Sequence, residues 1–423
     1  MTTDSQLSSA PGVVIVGGGH AGGELAAALR QGGYDRAITM IGREDHLPYT
    51  RPPLSKAYLR GESRIEDLYL RPRSFYAGHR IEVLTGRAAT AINRPAKTVV
   101  VDDGRVVRYD KLVLATGGSP RRIVDAALSG ATNVHYVRTI TDIDRLRETL
   151  VPNRRFVIIG GGYVGLEVAA VLRQIGMRVT VIETAPRLLA RVTVPEVSEF
   201  FRRVHVEEGV DVRLSVRPES FQRDESGRIT RVTLDDGTEA EVDELLIGIG
   251  ITPHDELARD AGLAVDNGVL VDAHCSTEDP DVYAIGDVAR HPCSEHGGLR
   301  RLESMPNAVA QARLVADHIR GAENAHSDVP WFWSDQYNVK LQAVGLFTGY
   351  DDVVVRGDST VGRKFAAFYL KDGAIRAADV ICSPAEFAAA KKLVTARVTI
   401  SKDLLRNIEL PLKSLVAGTV PQR

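Results

Sequence analysis

Residues 156–183, FVIIGGGYVGLEVAAVLRQIGMRVTVIE, carry the signature around which the 423-residue chain is organised. The apolar run Phe156 to Ile159 leads directly into Gly160, Gly162 and Gly165 in G-x-G-x-x-G spacing, and Leu166, Val168, Ala169 and Leu172 follow at helical spacing. The order is strand, tight turn, helix. A second apolar run, Arg178 to Ile182, ends on Glu183, where a carboxylate meets the ribose hydroxyls of a bound dinucleotide. Glycine spacing alone is a weak signal; strand, glycines, helix, strand and terminal acid in succession are a strong one. The glycines let backbone approach a pyrophosphate, and the helix N-terminus turns free N–H groups and partial positive charge toward it.

Residues 12–44 repeat the pattern. Val13 to Val16 read as a strand, Gly17, Gly19 and Gly22 have the same spacing, and Leu25, Ala26 and Leu29 mark a helical face. The two first glycines stand 143 residues apart, from 17 to 160, which fits a duplicated domain rather than a solenoid. The copies differ at the ribose acid: the strand Ala37 to Ile41 ends in Gly42-Arg43, leaving Glu44 as the nearest carboxylate. Asp-Gly turns at Asp103-Gly104 and Asp236-Gly237 place a small antiparallel meander in each copy before its last parallel strand.

The composition narrows the class. At this length two or three domains are expected, and a formal net charge of -2 with 26% charged residues gives no bulk attraction to nucleic acid or anionic membrane. The N-terminal stretch has neither the basic start nor the apolar core of a signal peptide, and no apolar run reaches spanning length, so a cytoplasmic protein without membrane contact is expected. Cys275, Cys293 and Cys382 lie far apart without C-x-x-C spacing, which argues against a dithiol site. His291, Cys293 and His296 crowd one segment, but no fourth ligand is apparent, and a solvated loop is the simpler reading.

Other stretches carry expectations of their own. In Leu47 to Lys56, LPYTRPPLSK, the prolines oppose a helix and hold the chain extended or turned, presenting Lys56 either as a surface residue or as a cation set against a phosphate or cofactor ring. Thr141 is expected to cap a helix over residues 142–150. Asp287, closing Val282-Tyr283-Ala284-Ile285-Gly286-Asp287, suits a ligand at a strand end or a helix cap. The stretch 321–330 is linker-like. Beyond it, Trp331 and Trp333 open a set of alternating strands followed by a helix with Ser383 as cap, Pro384 at its first position and Glu386 completing a capping box. That is an α+β arrangement.

Six motifs occur in order: Gly17-x-Gly19-x-x-Gly22, Arg51-Pro52-Pro53-Leu54-Ser55-Lys56, Leu114-Ala115-Thr116-Gly117, Gly160-x-Gly162-x-x-Gly165-Leu166-Glu167, Ala284-Ile285-Gly286-Asp287 and Trp331-Phe332-Trp333-Ser334-Asp335-Gln336. Together, from about Val13 to about Leu393, they resemble the FAD-dependent, NADH-using ferredoxin reductases of bacterial cytochrome P450 and aromatic dioxygenase systems, the putidaredoxin reductase type. The resemblance implies an α/β fold of two Rossmann-like dinucleotide-binding domains, glutathione-reductase-like, plus a C-terminal α+β interface domain. The implied boundaries are 1–119 with 251–329 for FAD, 120–250 for NAD and 330–423 for the interface domain.

The resemblance also implies residue roles. Ala21, Lys56, Arg138, Asp287 and the backbone near Ala89 and Met305 would contact FAD, and Glu44, Arg51, Ala115, Thr116 and Gly117 join Gly17, Gly19 and Gly22 as cofactor-binding positions. The NADH side would take Gly160, Gly162, Tyr163, Gly165, Glu183 and Gly250. Lys56 would lie near flavin N5 and pair with Glu167, and Trp333 would flank the ring where electrons leave. Arg43 stands where the family has an acid for the FAD ribose, so that contact is open between Arg43 and Glu44.

The implied activity is transfer of electrons from NADH through FAD to a [2Fe–2S] ferredoxin that feeds a cytochrome P450 or oxygenase. An acidic ferredoxin is expected to dock near Arg71, Arg313 and Trp333, within a group that includes Arg73, Arg300, Arg301 and Lys340. Alternatives are an NADH-dependent reductase of a small quinone or ascorbyl-type acceptor, and an NADH-responsive flavoprotein that binds a partner without turnover. A flavin disulfide reductase is disfavoured by the missing cysteine pair. Lys56 is expected to act on hydride transfer and to contribute little to folding.

Overall fold

The computed structural model describes residues 7–293, 297–323 and 329–417. Those residues gather into two compact units. One holds the described residues of 1–51, 63–119 and 251–328; the other holds 52–62, 120–250 and those of 329–423.

In the first unit the strands run in the order Ile81–Thr85, Ile38–Gly42, Leu7–Val16, Val106–Leu114, Thr98–Val101, Ala89–Asn93, with Val282–Ala284 also paired to Val106–Leu114. The central pairs are parallel, Val14 lying opposite both Thr39 and Leu112. Parallel strands covered on both faces read as continuous apolar runs, and all five residues of Ile38–Gly42 are buried. Helices His20–Gln31 and Met305–Ile319 bury Leu25, Leu29, Ala312 and Val315 in the same core.

The second unit repeats the device with the parallel order Asp211–Leu214, Arg178–Glu183, Arg155–Ile159, Glu244–Ile247, Val134–His135, and a meander of Pro218–Arg223, Ile229–Leu234 and Glu239–Glu241. Its C-terminal part is an antiparallel sheet, ordered Trp331–Gln336, Val339–Val344, Ala374–Ile381, Phe365–Lys371, Asp352–Gly357, and helix Pro384–Thr395 packs on it through Phe387, Ala390 and Leu393. The expected α/β fold with an α+β ending is therefore present. Among the described residues no helix is long and apolar enough to cross a membrane.

Local details depart from the sequence expectations. The connecting helix spans Ile140–Arg147 and is capped by Thr139, not Thr141; the Thr139 hydroxyl accepts from the Asp142 N–H while the Asp142 carboxylate accepts from the Thr139 N–H. Pro52–Ser55 forms a 3₁₀ turn, because a proline missing its N–H is tolerated in a first helical turn. Ser383 precedes helix Pro384–Thr395 but makes no side-chain cap bond, and the Glu386 carboxylate, instead of reaching back to close a capping box, lies 2.9 Å from the buried guanidinium of Arg356. Asp287 lies inside the short 3₁₀ turn Gly286–Val288 rather than capping a helix, and Ser304 caps Met305–Ile319. His296 and residues 324–328 of the linker-like stretch lie outside the described residues.

Candidate functional site

The first glycine turn is built for close approach. Gly17 has φ +126°, and a Cβ there would sit 2.1 Å from the carbonyl oxygen of Ala115. At Gly22 a Cβ would sit 2.1 Å from the Gly17 carbonyl, so the helix starting at His20, with Gly19 as its cap, packs directly on the turn. Ala115 is buried, the Thr116 hydroxyl donates to the His254 carbonyl at 2.7 Å, and Gly117 turns the chain at φ +64°. A Cβ on Gly286 would meet Ala21 at 3.0 Å, which sets Asp287 beside the turn.

Acid and base meet at the rim of this unit. The Glu44 carboxylate accepts from Tyr49 Oη at 2.5 Å and from Arg51 at 2.7 Å, and Arg51 also donates to Tyr49 Oη at 2.9 Å. Desolvation opposes the charge on Arg51, but Tyr49, Glu44 and Asp287 outweigh it and hold its pKa above the ordinary value. Arg43 is exposed to solvent. Thr50 Oγ1 lies 3.8 Å from Met305 Sδ, and Ala89 pairs with Val101 in its sheet.

Buried polar atoms in the same unit fit a polar ligand. Nδ1 of His20, Oδ1 of Asn307 and Nε2 of Gln311 have no hydrogen-bond partner among the described residues, although Asn307 and Gln311 are buried. Burial first, opposed by Glu24, lowers the His20 pKa. A dinucleotide flavin held by the glycine turn has the acceptors and donors such atoms lack.

In the second unit Gly160 has φ +111° and a Cβ would lie 2.4 Å from the Gly248 carbonyl; at Gly165 it would lie 2.3 Å from the Gly160 carbonyl. Nothing would meet a Cβ on Gly162, the helix cap, so the space beside the turn is open. Glu183 ends its strand as expected, and its carboxylate accepts from the N–H groups of Gly161 at 2.7 Å and Ala185 at 2.8 Å. Arg187, close in sequence, is committed to the Thr193 and Ala190 carbonyls and the Ser198 hydroxyl. Gly250 has φ +103°, and Arg138 sits just ahead of the Thr139 cap. Tyr163 stacks on Phe332 with ring centres 4.5 Å apart, and burial drives its hydroxyl pKa well above the ordinary value.

The same unit brings Lys56 and Glu167 together. The Lys56 ammonium lies 2.5 Å from Glu167 Oε2, with side chains 16% and 5% exposed. Ser55 donates to the same oxygen at 2.5 Å and Ser334 to Oε1 at 2.7 Å. Tyr58 anchors the turn, donating to Asp144 at 2.7 Å under the guanidinium of Arg147. Neither serine was assigned a role from the sequence; a polar residue set among aromatics in Trp331–Gln336 is the signal that marks Ser334. Trp333 lies on the opposite face of that strand, half-buried, 5.6 Å from Trp331, which packs on Phe387.

Of the expected basic group, Arg313, Arg73 and Lys340 are exposed, Arg300 is half-buried, and Arg71 lies 3.6 Å from Glu24 with a third of its side chain free. Arg301 departs from the group: it is 7% exposed, pairs with Glu303 and donates to the Asn267 and Asp287 carbonyls. The three cysteines are free thiols, and burial pushes Cys275 far up. His291 is buried against the Pro292 carbonyl, and no His, Cys, Asp and Glu group suited to a metal occurs among the described residues.

Compared with known families, residues 11–312 match the pyridine nucleotide-disulphide oxidoreductase model and residues 331–416 the reductase C-terminal model. Putidaredoxin reductase of Pseudomonas putida is 43% identical over 409 residues, spanning 96% of this chain and 97% of that protein. The benzene 1,2-dioxygenase system ferredoxin–NAD(+) reductase subunit of Pseudomonas putida is 37% identical, spanning 96% and 97%. Among solved structures, the covalent putidaredoxin reductase–putidaredoxin complex superposes with TM-score 0.95 at 42% identity, covering 98% of this chain and 100% of that one. Likeness of that extent, along a chain with two glycine turns of matching build, shows that this chain belongs to the pyridine nucleotide-disulphide oxidoreductase family.

Proposed function

We propose that the chain is an FAD-dependent reductase that takes a hydride from NADH and delivers electrons singly to a [2Fe–2S] ferredoxin serving a cytochrome P450 or aromatic-ring oxygenase in the cytoplasm. The observation that carries the reading is the near full-length likeness to ferredoxin reductases of such systems. The missing cysteine pair supports it against a disulfide substrate.

The proposed FAD domain is 1–119 with 251–329, except that 52–62 packs within the second unit; 120–250 is the proposed NAD domain and 330–423 the proposed interface domain. FAD, when bound, supplies hydride-accepting and single-electron chemistry; the chain supplies binding, orientation and electrostatics. The helix N-termini beyond Gly19 and Gly162 offer N–H groups to the two pyrophosphates. Glu183 accepts ribose hydroxyls and repels a 2′-phosphate, which favours NADH over NADPH. Lys56, its ammonium held by Glu167, is the proposed cation for the negative charge that arrives with the hydride, and Trp333 the proposed flank on the electron exit. Arg71 and Arg313 are the proposed contacts for an acidic ferredoxin.

The test is turnover of NADH with a [2Fe–2S] ferredoxin over a range of salt. Many turnovers per flavin, falling as salt rises while flavin reduction by NADH stays constant, are expected, because surface attraction is screened over roughly 10 Å at ordinary ionic strength. A single reduction followed by a stall overturns the ferredoxin assignment. Equal kcat/KM for NADPH overturns the role of Glu183.

A further inference from the structure

Behind Glu167 runs an unbroken line of buried polar side chains. Ser334, which donates to Glu167 Oε1, accepts from Gln336 Nε2 at 3.2 Å; Gln336 Oε1 lies 2.8 Å from His205 Nε2, and His205 Nδ1 lies 3.2 Å from the Tyr337 hydroxyl. Ser334, Gln336 and His205 are each at most 1% exposed, so no water competes for these groups.

The proton positions along the line are fixed by counting donors. Burial lowers the His205 pKa to about 4, so near neutral pH the ring is uncharged and carries one N–H. Because Gln336 presents a carbonyl oxygen to Nε2, that N–H is on Nε2, and Nδ1 accepts from Tyr337. The Gln336 amide then donates to Ser334, whose single proton is left for the carboxylate. Flipping the amide would ask Ser334 to donate to both Gln336 and Glu167, and a hydroxyl has one proton to give. Every donor from Tyr337 to Ser334 therefore points toward Glu167, and aligned hydrogen bonds strengthen one another in a low-dielectric interior.

We propose that Ser334, Gln336 and His205 are positioning residues that fix the Glu167 carboxylate, and through it the Lys56 ammonium, for hydride transfer. This rests on the proposed role of the Lys56–Glu167 pair. Phe332, Ser334 and Gln336 share one face of the strand, so the same line clamps the strand that carries Trp333 to the helix that carries Glu167.

The first test is spectroscopic and uses the wild-type protein. Nitrogen-labelled histidine spectra at neutral pH are expected to show His205 as the neutral Nε2–H form; an Nδ1–H ring, or one titrating at its ordinary pKa, overturns the proposal. The second test is kinetic. Ser334→Ala is expected to slow stopped-flow flavin reduction about tenfold with unchanged KM for NADH, the loss of one hydrogen bond to a charged group. Ser334→Thr, which keeps the hydroxyl, should restore the rate, and Ser334→Ala should add nothing in a Glu167→Gln background. A fully active Ser334→Ala beside a slow Glu167→Gln overturns the positioning line and leaves the pair its role. A fully active Glu167→Gln overturns that role, and the line with it.

Discussion

A lysine in a proline-rich turn is ordinarily solvated, because desolvating an ammonium costs several kcal/mol. Lys56 is mostly buried, and the reason is 111 residues away: Glu167 meets it at 2.5 Å and is itself satisfied by Ser55 and Ser334. This changes the expectation that Lys56 contributes little to folding. Lys56→Met removes the cation and leaves a buried carboxylate with serine donors alone, so a loss of about 3 kcal/mol is expected in denaturant titrations of the flavin-free protein. Lys56→Met combined with Glu167→Gln should lose less, since the stranded charge is gone. If Lys56→Met is as stable as wild type, the pair is not closed in solution.

At the scale of elements, the strand Trp331–Gln336 shows what alternation does. Trp331 and Trp333 share one face, with Trp331 against Phe387, while Phe332, Ser334 and Gln336 take the other and meet Tyr163, Glu167 and His205. Trp331 thus belongs to the hydrophobic core under the sheet, while Ser334 and Gln336 belong to the polar line on the other face. Arg356 binds elements in a comparable way. It is 2% exposed and donates to the carbonyls of Leu405, Asn407 and Leu410 while pairing with Glu386, so it fastens helix Lys402–Arg406 and the chain beyond it to the C-terminal sheet. Arg356→Met takes the guanidinium from the Leu405 and Leu410 carbonyls and the Glu386 carboxylate, and leaves the Asn407 carbonyl with the Leu410 N–H. Early proteolytic cleavage within residues 401–411, ahead of global unfolding, is the expected result, with a local destabilisation of about 3 kcal/mol. Unchanged protection of that segment would show that packing of Leu405 and Leu412 holds it instead.

For the whole molecule, two buried groups of the second unit give opposite pH dependences. His205, lowered by burial to about 4 from 6.5, contributes stability present above 6.5 and lost as pH falls toward 4, because only the unfolded ring takes a proton there. Asp379, raised by burial to about 6 from 3.8 in a network with Thr193 and Tyr369, contributes stability present below 3.8 and lost as pH rises through 6. Between pH 4 and 6 the two nearly cancel. Asp379→Asn should expose the histidine term, so that from pH 4 to 6.5 the variant gains about 3 kcal/mol relative to wild type. His205→Gln should shift the difference the other way, and thermal midpoints across that range that run parallel for all three proteins would refute the assignment. As for legibility, the two glycine turns, Glu183 at its strand end, the Asp-Gly meanders and the alternating C-terminal strands were all readable in the sequence, because each depends on residues within one turn or one strand of another. Cap positions were less secure: the local Thr139–Asp142 capping box displaced Thr141, whereas Glu386 left its box for the Arg356 guanidinium, a partner 30 residues away in the chain. What only the tertiary structure decided is what surrounds Glu167. Ser55, Ser334, Gln336 and His205 are 112, 167, 169 and 38 residues from it in the chain, and no local pattern records which hydroxyl a buried carboxylate will meet once the sheets close.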